Sequence, residues 1–310
     1  MCKKVATREA YGKALKILAE KNENVVVLDA DLSKSTKTAE FQKVSPERFI
    51  NCGIAEQNLM ATSAGLAAAG KIPFASTFAV FAAGRAFEII RNSIAYPKMN
   101  VKVAATHAGL TVGEDGASHQ AIEDISLMRT LPNMTVINPA DAKEAEKAVL
   151  AVSEYNGPVY LRFGRMPVPQ IFDDSYKFEI GKGVVIEEGK DITIFATGIM
   201  VAAAMEANEI LKTKGISAEI INIHTIKPID SELIINSANK TKKVLTCEEH
   251  SIIGGLGSAV SEVLSENAPC LVKRMGVNDT FGESGKGEDL LVKYGLTAND
   301  IVIAVENMLK

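Results

Sequence analysis

The sequence predicts an α/β fold made of two three-layer α/β domains. Three observations carry this. Short apolar runs alternate with segments of helical period up to residue 162 and again from residue 192 onward, the pattern of βα units building parallel sheets. Between residues 163 and 190 the alternation breaks at Pro167, Pro169, Asp173, Asp174 and Gly181, which reads as a linker with one strand inside it. The length, 310 residues, suits two ordinary domains. The expected division is 1–180 and 181–310.

Arg8 to Glu20 carries apolar residues at helical spacing, with Thr7 available as a cap. Val25–Leu28 is a buried-strand run ending in Asp29-Ala30-Asp31. Arg48–Cys52 is the next strand, then Gly53-Ile54-Ala55-Glu56-Gln57 opens a helix reaching about Ala69. Pro73–Ser76 is a strand with Phe78–Ala95 helical behind it, and Val101–Ala105 is a fourth strand. A glycine-rich loop and an amphipathic segment, Ile122–Met128, follow. Met134–Ile137, a helix over Asp141–Ser153 and strand Val159–Arg162 close the first unit. The second contains strands at Ile192–Phe195, Ala218–Ile223, Lys243–Cys247 and Cys270–Val277. Its helices are Met200–Lys214, Leu256–Leu264 and Ala298–Leu309, the last opened by a box-like Thr297/Asp300 pair.

Composition narrows the function classes. A hydrophobic content of 47% builds a real core, and a net charge of -4 with dispersed lysines gives no basic stripe for nucleic acid. Tryptophan is absent, so no stacking platform for bases is visible. Cys2, Cys52, Cys247 and Cys270 lack metal-ligand spacing. No apolar leader or run long enough for a membrane span occurs. The expectation is a soluble, reduced, cytoplasmic protein without nucleic-acid or membrane partners.

The loop from Thr106 to Gln120 stands out. His107 and His119, half of the four histidines, frame Glu114, Asp115 and three glycines. It leaves the end of a predicted parallel strand, where open α/β sheets bind ligands, and glycine lets such a loop bring its backbone close to one. Gly254-Gly255-Leu256-Gly257 lacks the dinucleotide spacing, and Gly282-Glu283-Ser284-Gly285-Lys286-Gly287 lacks that of a P-loop. Neither Gly-x-Ser-x-Gly nor His-Glu-x-x-His is present. Glu56 at a strand-to-helix junction is either a dipole partner or a buried acid. Phe78 and Phe81, three apart, face one way on a helix, as core or as a cofactor wall.

Taken in order, Gly53-Ile54-Ala55-Glu56-Gln57, Ser76-Thr77-Phe78 with Phe81, and Val112-Gly113-Glu114-Asp115-Gly116 with Ser118-His119-Gln120 resemble transketolase. Leu131-Pro132-Asn133, Pro139-Ala140-Asp141 and Leu161-Arg162 extend the likeness. It covers nearly the whole chain but only the C-terminal half of a transketolase: the pyrimidine-binding domain and the C-terminal domain. The resemblance implies thiamine diphosphate as cofactor. Glu56 then bonds the aminopyrimidine nitrogen and favours the imino tautomer that deprotonates the thiazolium. Phe78 and Phe81 wall the pyrimidine, while a third family aromatic falls at Gly84. His107, His119 and Asp115 contact the sugar, Arg8, Ser35 and Arg162 its phosphate, and Asp31 lies near the cofactor and the subunit interface.

One departure shapes the prediction. The family holds the diphosphate and its Mg²⁺ or Ca²⁺ through a Gly-Asp-Gly motif, and this sequence has none. A diphosphate without metal ligands or a phosphate loop binds poorly. The expectation is therefore one subunit of a split enzyme, inactive alone, with no metal ligands of its own. An N-terminal partner chain would carry the diphosphate-binding domain, around a homodimer core in a heterotetramer. The activity implied is transfer of a two-carbon ketol unit between sugar phosphates. The rivals are deoxyxylulose-phosphate synthase, the β subunit of 2-oxo acid dehydrogenases, and a non-catalytic regulatory homologue. The C-terminal domain, with Glu248-Glu249-His250-Ser251, is assigned no chemistry.

Overall fold

A computed structural model describes residues 4–310; Cys2 lies outside them. Seven strands form the first sheet, in the order Thr225–Lys227, Thr135–Ile137, Val159–Arg162, Lys102–Thr106, Ile72–Phe78, Val25–Asp29, Phe49–Asn51. All neighbours are parallel except Thr225–Lys227, an antiparallel edge supplied by the second half of the chain. Helices Thr7–Lys21 and Ala142–Glu154 cover one face around Tyr11, Leu15, Val149 and Phe163. Helix Glu56–Ala68 and the helical stretch to Ala95 cover the other, around Leu59, Met60, Ile90 and Met128.

The second sheet has five strands: Leu271–Val277, Lys243–Ser251, Ile192–Ala196, Ala218–Asn222 and an antiparallel edge, Val184–Glu187. Helices Met200–Thr213 and Ala298–Leu309 pack on one side. Ser231–Thr241 and Leu256–Asn267 pack on the other. The α/β expectation thus holds in both halves, each a sheet between helix layers. Thr297 and Asp300 close the expected capping box.

Local expectations failed where a tertiary partner was decisive. Thr7 does not cap the first helix but is its first residue, and its Oγ1 accepts from Gly164 N at 2.8 Å. Phe78 ends a strand instead of beginning a helix. The helical stretch behind it contains wide turns, with Ala86 N bonded to Phe81 O and Tyr96 N to Arg91 O, each five residues back. Residues 163–190 are clamped by the helix they cross. Asp141 caps Ala142–Glu154 and also accepts from Ile171 N and Phe172 N, at 2.6 and 2.8 Å.

Candidate active site

Glu56, Phe78, Phe81, His107 and His119 lie together beyond the carboxyl ends of the first sheet's parallel strands, where the strands stop and their loops turn back. Glu56 is the first residue of its helix and only 2% exposed. Its Oε2 accepts from Arg85 Nη1 at 2.8 Å. The Arg85 guanidinium lies 4.7 Å from the Phe81 ring centre, close enough for cation–π attraction. Phe81 stacks on Phe78 at 6.1 Å, and Phe78 stacks on His107 at 3.9 Å. His119 stands edge-on to Phe81 at 5.4 Å. A buried acid, two aromatic faces and two imidazoles therefore share one wall. Gly84 is exposed, and a Cβ there would meet nothing within 4 Å, so that side of the wall is open.

His107 sits in the left-handed region, at φ 59°. Arg8 Nη1 donates to His107 Nε2 at 2.9 Å and to the Ser35 carbonyl at 3.0 Å. A guanidinium can only donate, so Nε2 accepts. The proton is then on Nδ1, which donates to Thr106 Oγ1 at 2.8 Å. Burial, then the charges of Arg8 and Arg165, pushes the His107 pKa down to about 3. Its imidazole is neutral at physiological pH and works through hydrogen bonds. Among the described residues no acceptor reaches the buried Arg8 Nε, which leaves a charged donor to spare.

Ser35 meets Arg8 through its carbonyl, not its hydroxyl. Its segment hangs from Asp29, which accepts from Leu32 N, Thr36 Oγ1 and Thr38 Oγ1 at 2.5, 2.6 and 2.8 Å. Asp31 is exposed and bonded to Asn51 Nδ2 at 2.9 Å, beside the turn leading to Glu56, and is not part of the aromatic wall. Asp115 is 46% exposed at the loop tip, 3.8 Å from Arg165 Nη1.

Arg162 requires a correction. Its guanidinium is not in the site: Nε donates to Asp124 Oδ2 at 2.9 Å, and Nη2 reaches the carbonyls of Ala121 and Glu249 at 3.3 and 3.0 Å. Tyr160, two residues earlier on the same strand and so on the same face, donates to the same Asp124 oxygen at 2.7 Å. That face is buried, and these bonds hold the guanidinium against Asp124 and the two carbonyls. Arg165, three residues further on and not singled out from the sequence, is instead a neighbour of the site, its charge acting on His107 together with that of Arg8. It is 37% exposed and lines a cavity of about 570 Å³ with Arg8, Glu9, Glu114 and Lys286.

Residues 3–170 match the family described as transketolase, pyrimidine binding domain, and residues 181–301 the transketolase C-terminal domain. The chain belongs to the transketolase family. A putative transketolase C-terminal section of Methanocaldococcus jannaschii is 53% identical over 306 residues, covering 98% of this chain and 96% of that one. A 6-deoxy-6-sulfo-D-fructose transketolase subunit of Clostridium sp. is 43% identical, covering 97% and 94%. Human transketolase is 36% identical over 99% of this chain, which spans 49% of its length. Among solved structures, a split-gene transketolase described as an inactive β4 tetramer superposes with TM-score 0.93 at 61% identity, over 98% of each chain. The chain thus corresponds to the C-terminal half of full-length transketolase and to nearly the whole of these separate C-terminal sections.

Proposed function

We propose that this chain is the C-terminal subunit of a split, thiamine-diphosphate-dependent transketolase, moving a two-carbon ketol unit between sugar phosphates. The observation that carries the reading is Glu56: a carboxylate buried at a helix start beside the stacked Phe78 and Phe81. That set fits an aminopyrimidine, since it offers a hydrogen-bond acceptor for the ring edge and apolar walls for its faces. When bound, thiamine diphosphate supplies an electron sink for the carbanion chemistry. Glu56 holds the pyrimidine nitrogen and its proton, and Phe78 and Phe81 exclude water from the ring. Neutral His107, with His119 and Asp115, orients the sugar hydroxyls. Arg8 and Arg165 hold its phosphate.

The diphosphate and its Mg²⁺ or Ca²⁺ fall to an N-terminal partner subunit, and the isolated chain is inactive. Two copies of this chain form the core of a heterotetramer. Ile54, 78% exposed next to Glu56, and the outward Ala61, Gly65 and Ala68 suit close packing of a second copy. No helix among the described residues is long and apolar enough to cross a membrane, and the cytoplasm, where sugar phosphates are at hand, is the proposed location.

The test is a donor assay on the chain mixed with its partner: xylulose phosphate should serve and pyruvate should not, and the reverse would move the chain to the pyruvate-using relatives. In the same assay R165A should raise KM for the phosphorylated sugar about 10-fold or more with kcat nearly kept. One charge-assisted bond of about 1.5–3 kcal/mol is then lost from ground and transition states alike. R165A with an unchanged KM would remove that arginine from the phosphate site.

A further inference from the structure

The loop that carries His107 and Asp115 is held only in part by its own backbone bonds, among them Gly109 N to Ala121 O and Gly116 N to Gly113 O. Gly109, Gly113 and Gly116 all lie at positive φ, as does His107. Several of its fixed points come instead from the C-terminal domain. Glu249, near the end of strand Lys243–Ser251, accepts from Thr111 N through Oε1 at 2.6 Å. Gln120 Nε2 spans the loop, donating to Leu110 O at 3.0 Å and to Glu283 O of the C-terminal domain at 2.9 Å. Glu249 adds a second constraint on position 109, whose φ of 81° already favours glycine. A Cβ there would overlap the Glu249 carboxylate.

Glu249 is 3% exposed, so its charge is costly unless matched. Arg162, itself bonded to the Glu249 carbonyl, helps to match it from the strand Val159–Arg162. Burial still raises the Glu249 pKa to about 6, against the opposing pull of Arg162 and of the Thr111 N–H. A carboxylate kept at such a cost, and aimed at one backbone N–H four residues from His107, has a definite geometric effect: it fixes where the left-handed turn sits.

We infer that Glu249 is a positioning residue for the transferase reaction, holding the loop through Thr111 N–H and the Gly109 contact so that His107 stays against Arg8 and Phe78. The C-terminal domain thereby acts on the active site through one side chain that touches neither sugar nor cofactor. This inference rests on the ketol-transfer reading given above.

Two conservative variants separate the tether from the charge. Glu249→Gln keeps the reach to Thr111 N and loses the charge; Glu249→Asp keeps the charge and withdraws it by one methylene. Steady-state kinetics on each variant assembled with the N-terminal partner should show E249D at least 10-fold down in kcat/KM for the sugar, with thiamine diphosphate affinity within twofold. E249Q should recover most of the loss. The reverse order, E249Q impaired and E249D normal, would make Glu249 a charge partner of Arg162 and overturn the inference, as would two variants both within twofold of wild type. Hydrogen exchange of the 107–120 peptide needs no activity. It should be about 10-fold faster in E249D and unchanged in E249Q; equal protection in both would refute the tether even if the wild-type complex proved not to be a transketolase.

Discussion

Glu56→Gln in the two-chain complex should lower turnover by about 10²- to 10⁴-fold, the range in which a positioned acid or base contributes. The amide keeps the shape of the side chain but cannot hold a proton as the carboxylate does. Position favours a large effect. Glu56 is 2% exposed while its present partner, Arg85, is 49% exposed in its side chain, so the pair is buried only at the carboxylate end. Excess thiamine diphosphate should restore the E56Q complex only in part, because binding and proton handling are both affected. Single-turnover and steady-state rates would measure this, and turnover equal to wild type would deprive Glu56 of its role.

Arg162→Met should destabilise the chain by about 3–5 kcal/mol, the cost of leaving a buried charge without its partner. The Asp124 side chain is fully buried and that of Arg162 4% exposed. Without the guanidinium, Asp124 keeps only Tyr160, and the carbonyls of Ala121 and Glu249 lose a donor. Denaturant midpoints and slopes for both proteins would give the difference. The phosphate role expected from sequence predicts the opposite outcome: intact stability and a raised KM for phosphorylated sugars.

The contrast between Arg162 and Arg165 shows what a sequence yields and what it withholds. Strand Val159–Arg162 was readable from its apolar run, and its period of two places Arg162 with Tyr160. Nothing local, however, says that this face meets Asp124 and Glu249, residues 38 and 87 positions away. The βα order and the site loop were legible because each is written locally, whereas the burial of Glu56 was not, since its junction alone left a dipole partner and a buried acid both open. The edge strand Thr225–Lys227 was not, since its pairing partner Thr135–Ile137 is supplied by the other half of the chain. Helix Ser231–Thr241 escaped because Leu233, Ile234 and Ile235 run together like a strand, although Asp230 caps it as such a residue should. Phe78 and Phe81 do meet, as their spacing implied, but across a strand end and the helical turn after it.

The claim that one active site is shared between two chains is tested most directly by titration calorimetry with thiamine diphosphate and Mg²⁺. The chain alone should give no Mg²⁺-dependent heat of binding, and the chain mixed with its N-terminal partner should give a saturable one. Tight, Mg²⁺-dependent binding by the isolated chain would mean that it holds the diphosphate itself, and the shared-site account would be wrong.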